Sequence, residues 1–137
     1  MHKTYPHSEL SGKIIACAIK VHRYLGPGLL ESAYEESLAA EFEYAGLSFQ
    51  RQPQVAGHYK GRPLDLVFIP DFIVDGRIIV EIKSVSHLHD NHIAQVLTYL
   101  KVTNCQIGLL LNFHEERLYR GIKRLIWSAE PGLEVNR

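Results

Sequence analysis

Cysteine is scarce in this chain, and neither sign of charge is in excess. The two cysteines, Cys17 and Cys105, lie far apart and lack the CxxC or CxxH spacing of a zinc or redox site. We therefore expect two small buried residues in a reducing compartment and no disulfide. Lys plus Arg and Asp plus Glu each number 15, so the net charge is zero and the general basic character of a dedicated nucleic-acid binder is missing. Any binding of nucleic acid must be local.

Long apolar runs are also missing. No run approaches the roughly 20 residues that a membrane span needs, and the start of the chain has no apolar core followed by a cleavage site. We therefore expect a cytoplasmic protein without membrane contact. The 137 residues, 46% of them hydrophobic, suit a single domain over residues 1–137 whose core needs no disulfide or metal.

Hydrophobic periodicity predicts three helices and a sheet. The helices are expected after Ser8 and Ser11 up to Gly26, from about Leu30 to Ala45, and from Asp90 to about Asn104. Strand-like segments with turns at Lys60-Gly61 and Asp75-Gly76 predict an antiparallel meander over residues 48–55, 58–59, 64–74 and 77–85. A buried strand at residues 107–111 and a last strand or two at residues 116–127 follow. The predicted class is α/β, with a mixed, mainly antiparallel central sheet flanked by helices.

Charged residues interrupt the apolar strand at residues 77–85. Glu81-Ile82-Lys83 is the only acidic-x-Lys triplet, and it follows the only Pro-Asp pair, Pro70-Asp71. Withdrawing an ion from water costs on the order of several kcal/mol unless the ion is paired or holds a metal, so a purely structural strand would avoid this arrangement. Taken alone, the triplet also fits an exposed edge strand. Because side chains alternate along a strand, Glu81 and Lys83 share a face.

The register of the two strands decides whether Asp71 and Glu81 can meet. A two-residue loop at Asp75-Gly76 would pair Asp71 with Val80 and place the two acids on opposite faces. An odd-length loop with Gly76 in the left-handed bulge position, or a bulge near Pro70, would place them on the same face. We predict one of these two arrangements.

Several motifs together resemble a nuclease superfamily. Pro70-Asp71 followed by Glu81-Ile82-Lys83 spells the PD-(D/E)xK motif, and the element order resembles the restriction-endonuclease-like core of that superfamily. Residues 28–34, with Gly28, Glu31 and Tyr34, resemble the GxxExxY family, as do the phrases at residues 21–28 and 108–113. Gln95 and Tyr99 spell the QxxxY signature of RecB-type exonucleases. The resemblance covers most of the chain.

The resemblance implies a phosphodiesterase that depends on Mg²⁺ or Mn²⁺. Asp71, Glu81 and the backbone carbonyl of Ile82 supply the oxygen ligands that hard divalent cations prefer. Lys83 would orient a water nucleophile or stabilise charge on the phosphate, and a metal-activated water would cleave the phosphodiester. Gln95 and Tyr99, one helical turn apart, would border the site and contact a phosphate or the water.

Glu31 has two interpretations. Its helical position lies between the directions of Leu38 and Phe42, so its carboxylate is expected on the core side of the second helix. Geometry alone favours a first-turn acid that complements the helix dipole. The resemblance implies an accessory metal ligand instead.

Two further clusters have an ordinary and a functional interpretation. His87, His89 and His92 lie where a loop enters a helix and lack a second ligand pair, which favours solvated histidines over a zinc site. A basic C-terminal segment, interleaved with Tyr119 and Trp127, either grips a nucleic-acid backbone or covers a strand. Its members are Arg117, Arg120, Lys123 and Arg124.

The leading hypothesis is a Mg²⁺- or Mn²⁺-dependent nuclease whose partner is a nucleic acid, with DNA favoured over RNA. A domain of this size is also compatible with a homodimer. The rival hypothesis is a catalytically silent module that retains the nuclease fold and binds nucleic acid or another protein. The neutral net charge and the short chain agree with the rival.

Overall fold

The computed structural model describes residues 6–128. Its three α-helices are α1 (Ser8–Leu25), α2 (Glu31–Tyr44) and α3 (Asp90–Thr103). The seven strands are β1 (Phe49–Arg51), β2 (Val55–Tyr59), β3 (Arg62–Phe68), β4 (Phe72–Val74), β5 (Ile78–Lys83), β6 (Ile107–Asn112) and β7 (Ile122–Ile126). A short 3₁₀ helix, Leu118–Gly121, precedes β7.

Five of the strands form one mixed sheet in the order β1-β4-β5-β6-β7. β5 and β6 are parallel and the other neighbouring pairs are antiparallel. Helix α3 makes the crossover that two parallel neighbours require. The expected α/β class with a mixed, helix-flanked sheet is confirmed.

Each face of the sheet carries its own apolar core. Alternate residues of β5, such as Val80 and Ile82, pack with α1 and α2, whereas Ile79 packs with α3. β6 is buried along its whole length, as expected for a strand covered on both faces. The sheet is therefore a middle layer, and any charge inside it must be compensated locally.

The predicted meander is wrong in its connections. Two of its segments, residues 48–55 and 64–74, each divide into two strands, and β1 pairs with β4 instead of β2. The first division falls at Gln52, whose φ of 49° is left-handed, next to Pro53, which has no N–H to donate. The second falls at Ile69-Pro70. Between these breaks, β2 and β3 form a separate hairpin, closed by the predicted turn at Lys60-Gly61 with φ of 50° and 75°.

The turn between β4 and β5 has an odd length, as predicted. The N–H of Arg77 donates to the carbonyl of Val74, and Asp75 and Gly76 are both left-handed. Val74 nevertheless pairs with Ile78, so Arg77 is an extra residue in the ladder. This shift by one residue places the position before β4 opposite Glu81.

Both cysteines are buried, as expected. Cys17 and Cys105 are free thiols, and burial raises the pKa of both. Over residues 6–128, no helix is long and apolar enough to cross a membrane. The segment at residues 116–127 forms one strand, preceded by the 3₁₀ helix.

Gly108 in β6 allows α3 to lie close to the sheet. A Cβ at this position would lie 2.7 Å from Cγ1 of Val96 and 3.3 Å from Cδ2 of Leu100. We predict that Gly108→Val lowers the free energy of unfolding by about 1–3 kcal/mol, the usual cost of overpacking, as measured by urea denaturation. Gly12→Ala is the control, because nothing lies within 4 Å of its Cβ position and alanine favours helix α1. Equal stability of the Gly108→Val variant and the wild type would contradict this packing.

Candidate active site

Backbone N–H groups hold the carboxylates of Asp71 and Glu81 close together across the β4–β5 pair. The N–H of Asp71 donates to Oε1 of Glu81 at 2.6 Å, and the N–H of Ile82 donates to Oδ2 of Asp71 at 2.8 Å. The Nζ of Lys83 lies 4.0 Å from Oε2 of Glu81. The structure thus brings together the two acids and the amine that the sequence motif singles out.

The site is short of positive charge. Burial, followed by the negative charge of Asp71, raises the pKa of Glu81 to about 8, against the opposing effects of the Asp71 N–H and Lys83. Burial raises the pKa of Asp71 to about 6, and the neighbouring Glu35 adds to this rise. One half-buried lysine does not offset the buried Glu81 carboxylate and the half-buried Asp71 carboxylate, so their charged forms need a further cation.

Glu35 is a site residue that sequence reasoning missed. It is buried on α2, and its carboxyl interacts with that of Asp71. Arg51 donates to Oε2 of Glu35 through Nε at 3.0 Å and Nη2 at 2.8 Å. The sequence held one signal for this position. Glu35 precedes Leu38 by three residues and Ala39 by four, so it shares a helix face with these two buried residues. Glu35 therefore joins the acid cluster while its charge is held by an arginine.

Gln52 links the Glu35 carboxylate to the strand of Asp71. Its side-chain Nε2 donates to Oε2 of Glu35 at 3.0 Å, and its backbone N–H donates to the carbonyl of Asp71 at 2.8 Å. The left-handed backbone of Gln52 is a strained conformation for a residue other than glycine. These hydrogen bonds offset that strain, and they fix the separation of α2 and β4.

Glu31, which was expected on the core side of α2, is the first residue of the helix and is exposed, whereas Leu38 and Phe42 are buried. The charge of Glu31 still acts on Glu81 and raises its pKa, as the smallest of the contributions. Its role as an accessory ligand stays a prediction.

Tyr34 fixes the loop that leads into α2. Its hydroxyl donates to the carbonyl of Gly26 at 2.6 Å and accepts from the N–H of Leu29 at 2.9 Å. Its ring stacks on Phe113 with centroids 4.5 Å apart. Ser84, next to Lys83, donates to the carbonyl of Leu29 at 2.6 Å. The start of α2 is thereby held beside the end of β5, near the acid cluster.

Tyr99 is buried on α3. Burial, followed by the charges of Glu81 and Asp71, raises its pKa to about 12. Its hydroxyl therefore stays protonated and lies within the field of the acids. Gln95, one turn earlier, is exposed and lines a groove together with Tyr99.

The histidines and the basic segment have mainly structural contacts. His89 and His92 cap α3, since Nδ1 of His92 accepts from the N–H of His89 at 3.1 Å. Arg124 donates to Oγ of Ser11 at 3.1 Å, which ties β7 to α1. Arg120 lies over the ring of Tyr119, with 5.8 Å between its Cζ and the ring centroid. Arg117 and Lys123 are exposed.

The donor set of the acid cluster fits a hard divalent cation better than zinc. In the part of the chain that the structure describes, no three His, Cys, Asp or Glu side chains converge in an arrangement that could hold a metal. Glu31 is exposed, and the oxygens of Glu35 are occupied by Arg51 and Gln52. Two carboxylates and one carbonyl remain, and Mg²⁺ is typically held by one or two carboxylates, with water and phosphate completing its shell.

The sequence of the whole described fold also matches a known family. The α/β architecture and the acid pair on neighbouring strands are consistent with a PD-(D/E)XK nuclease-like fold. Residues 8–125 match the family model described as PD-(D/E)XK nuclease superfamily. Because the match covers most of the chain, the chain belongs to the PD-(D/E)XK nuclease superfamily. No curated protein and no solved structure matches it significantly.

The contact between Arg51 and Glu35 predicts a specific loss of stability. Arg51→Met leaves the buried Glu35 carboxylate without its charge-assisted hydrogen bonds, and we expect the free energy of unfolding to fall by about 1–3 kcal/mol. Adding Glu35→Gln should restore part of this loss in a double-mutant cycle. Arg77→Met is the matched control, because its partner Asp75 is exposed and such pairs contribute little. Equal losses of stability in Arg51→Met and Arg77→Met would contradict a stabilising contact between Arg51 and Glu35.

The raised pKa values of the acid pair predict an unusual pH dependence. Between an unfolded-state pKa of about 4 and the folded values of about 6 and about 8, the folded protein holds more protons than the unfolded one. Stability in EDTA should therefore fall as pH rises through this window.

Glu81→Gln removes one buried charge, so at pH 8 the variant should be more stable than the wild type, by on the order of 1 kcal/mol per pKa unit. The advantage should vanish near pH 4. Urea denaturation with exposed Glu43→Gln as the control measures this difference. A Glu81→Gln variant that is less stable than the wild type at pH 8 would contradict the raised pKa.

Proposed function

We propose that this protein is a Mg²⁺- or Mn²⁺-dependent phosphodiesterase that hydrolyses DNA. Membership of the superfamily supports a nuclease. The observation that carries the proposal is the pair of backbone hydrogen bonds that hold the two carboxylates, from the N–H of Asp71 to Glu81 and from the N–H of Ile82 to Asp71. This bonding holds two carboxylates side by side in a buried site where Lys83 alone does not balance them. We further propose that the chain is of the GxxExxY type and that Gln95 and Tyr99 are a RecB-type QxxxY pair.

Asp71, Glu81 and the carbonyl of Ile82 would hold the cation, with Glu31 as an accessory ligand. When bound, such a cation neutralises phosphoryl oxygens and lowers the pKa of water. The role of the protein is to keep the two carboxylates adjacent. The donors that do this are the backbone N–H groups of Asp71 and Ile82, at 2.6 and 2.8 Å from the carboxylate oxygens. Glu35 adds negative charge beside Asp71, while Arg51 limits that charge.

Lys83 and Tyr99 are the proton donors next to the acid pair. Lys83 shares a strand face with Glu81, so its ammonium can orient a water or stabilise charge on a phosphate. Tyr99, whose pKa is about 12, keeps its hydroxyl proton at neutral pH and can donate it to a phosphate oxygen. Gln95 extends the same face of α3 by one turn and would contact the substrate.

The rival function is a catalytically silent module that keeps the fold. One observation favours it: both acids already accept backbone hydrogen bonds, and Glu35 is engaged by Arg51 and Gln52. We favour the nuclease because the pKa of Glu81 stays raised despite these hydrogen bonds. The negative charge of its carboxylate is therefore not fully compensated by the protein. The proposal includes one domain over residues 1–137 that acts in the cytoplasm, which the two free thiols support, and it allows a homodimer.

Cleavage assays with single-stranded DNA, duplex DNA and RNA test the proposal. We expect Mg²⁺- or Mn²⁺-dependent hydrolysis that EDTA abolishes, and a loss of at least roughly a hundredfold in Asp71→Asn and Glu81→Gln. Lys83→Met should lose activity while it still binds Mn²⁺, because its amine is not a ligand.

Asp75→Asn is the matched control, since Asp75 lies in the turn at the other end of the β4–β5 hairpin. Full activity in Glu81→Gln would show that the cleavage comes from another site or a contaminant. Absence of hydrolysis on every substrate would favour the silent module.

A further inference from the structure

The β2–β3 hairpin concentrates exposed apolar side chains. Among residues 6–128, eleven large hydrophobic side chains are exposed, and five of them lie on the hairpin or directly after it. These five are Tyr59, Leu64, Leu66, Val67 and Ile69. Because side chains alternate along a strand, Val67 and Ile69 share one face, and Leu64 and Leu66 share the other. Exposed apolar side chains concentrated in this way mark an interaction surface.

A groove separates the hairpin from α3. Val67, Phe68 and Ile69 form one wall and side chains of α3, including Gln95 and Tyr99, form the other, around a volume of about 470 Å³. The ring of Phe68 meets that of Tyr99 edge-on, with centroids 6.5 Å apart. Aromatic contact thus connects the hairpin to Tyr99 on α3.

The groove leads to the acid pair. The Tyr99 hydroxyl contacts the carbonyl of Ile69 at 3.4 Å, and the charges of Glu81 and Asp71 act on the same hydroxyl. Ile69 is followed directly by Pro70 and Asp71 in the chain. A ligand lying in the groove would therefore reach the two carboxylates at one end.

The other end of the hairpin is basic. The turn carries Lys60 and Arg62, with His58 beside them, whereas Asp65 is the only acid in β2 and β3. The Nζ of Lys60 lies 5.4 Å from the centroid of the Tyr59 ring. Cations next to an aromatic ring, followed by apolar side chains, complement a chain of phosphates that carries flat apolar bases.

This complementarity distinguishes between forms of nucleic acid. In a duplex the base faces are stacked on one another, so the apolar wall of the groove would have nothing to contact. In a single strand the base faces are open and can lie against apolar or aromatic side chains. The exposed wall therefore fits an unpaired strand.

We propose that the groove between the hairpin and α3 guides a single-stranded nucleic acid to the acid pair. Its phosphates lie toward Lys60 and Arg62, and its bases lie against Val67 and Ile69, which are exposed and line the groove. This inference rests on the proposed nuclease function and names its substrate as an unpaired strand.

Binding measured by fluorescence anisotropy in EDTA tests the groove separately from cleavage. The probes are a labelled oligothymidylate, an oligouridylate of equal length and a mixed-sequence DNA duplex. We expect the wild type to bind the single strands roughly tenfold more tightly than the duplex, and Val67→Ser/Ile69→Ser to lose roughly tenfold in single-strand binding. Tyr59→Ala, at the tip, should lose roughly fivefold or more without disturbing the fold.

Two control variants match these changes in exposure. Ile126→Ser removes a 50% exposed residue on β7, compared with 58% and 47% for Val67 and Ile69. Tyr44→Ala removes an exposed tyrosine at the end of α2. Both controls should bind as the wild type does, and circular dichroism checks that every variant is folded.

The outcomes separate this inference from the proposed function. Unchanged single-strand binding in the hairpin variants overturns the proposed role of the groove. This holds even if Glu81→Gln abolishes cleavage and the nuclease proposal stands. Duplex binding equal to single-strand binding also overturns it. If the hairpin variants instead abolish a dimer seen by sedimentation, the surface is a subunit interface and the inference is wrong. Binding that is lost in the hairpin variants, in a protein that cleaves no substrate, supports the groove and contradicts the nuclease proposal.

Discussion

The two hydrogen bonds that hold the acid pair, from the Asp71 N–H to Glu81 and from the Ile82 N–H to Asp71, depend on a single extra residue in the chain. With a two-residue turn, the acids would face opposite sides of the sheet and could not act together. Arg77 adds the residue that shifts the ladder, and the left-handed backbone of Asp75 and Gly76 allows the turn to close. A backbone feature at one end of the hairpin thus determines the chemistry at its other end.

The compensation of charge follows from this arrangement. Burial and the charge of Asp71 raise the pKa of Glu81, burial and the charge of Glu35 raise the pKa of Asp71, and Lys83 only partly opposes both effects. The protein satisfies Glu35 with Arg51 and Gln52 but leaves Glu81 and Asp71 with backbone donors and one amine. The negative charge that no basic side chain offsets is therefore concentrated at Asp71 and Glu81, where a divalent cation would stabilise the charged carboxylates.

Most of the fold could be predicted from the sequence, because the periods of the helices and the buried run of β6 are local signals. The separate hairpin could not be predicted, since the breaks at Gln52 and Pro70 set which strands become neighbours only in the folded chain. Asp71, Glu81 and Lys83 were found because their spacing on strands is short and regular. Glu35 was missed because its role depends on contacts with Arg51 and Gln52, which are distant from it in sequence.

We propose that the acid pair binds a divalent cation in place of protons. Isothermal titration of the protein with Mn²⁺ at pH 7, in buffers of different ionisation enthalpy, measures both the binding and the protons released. We expect binding at a single site with net proton release, because the pKa of Glu81 is raised to about 8 and its carboxyl is largely protonated before the metal binds. Binding without proton release, or equal binding by wild type and Asp71→Asn, would contradict it.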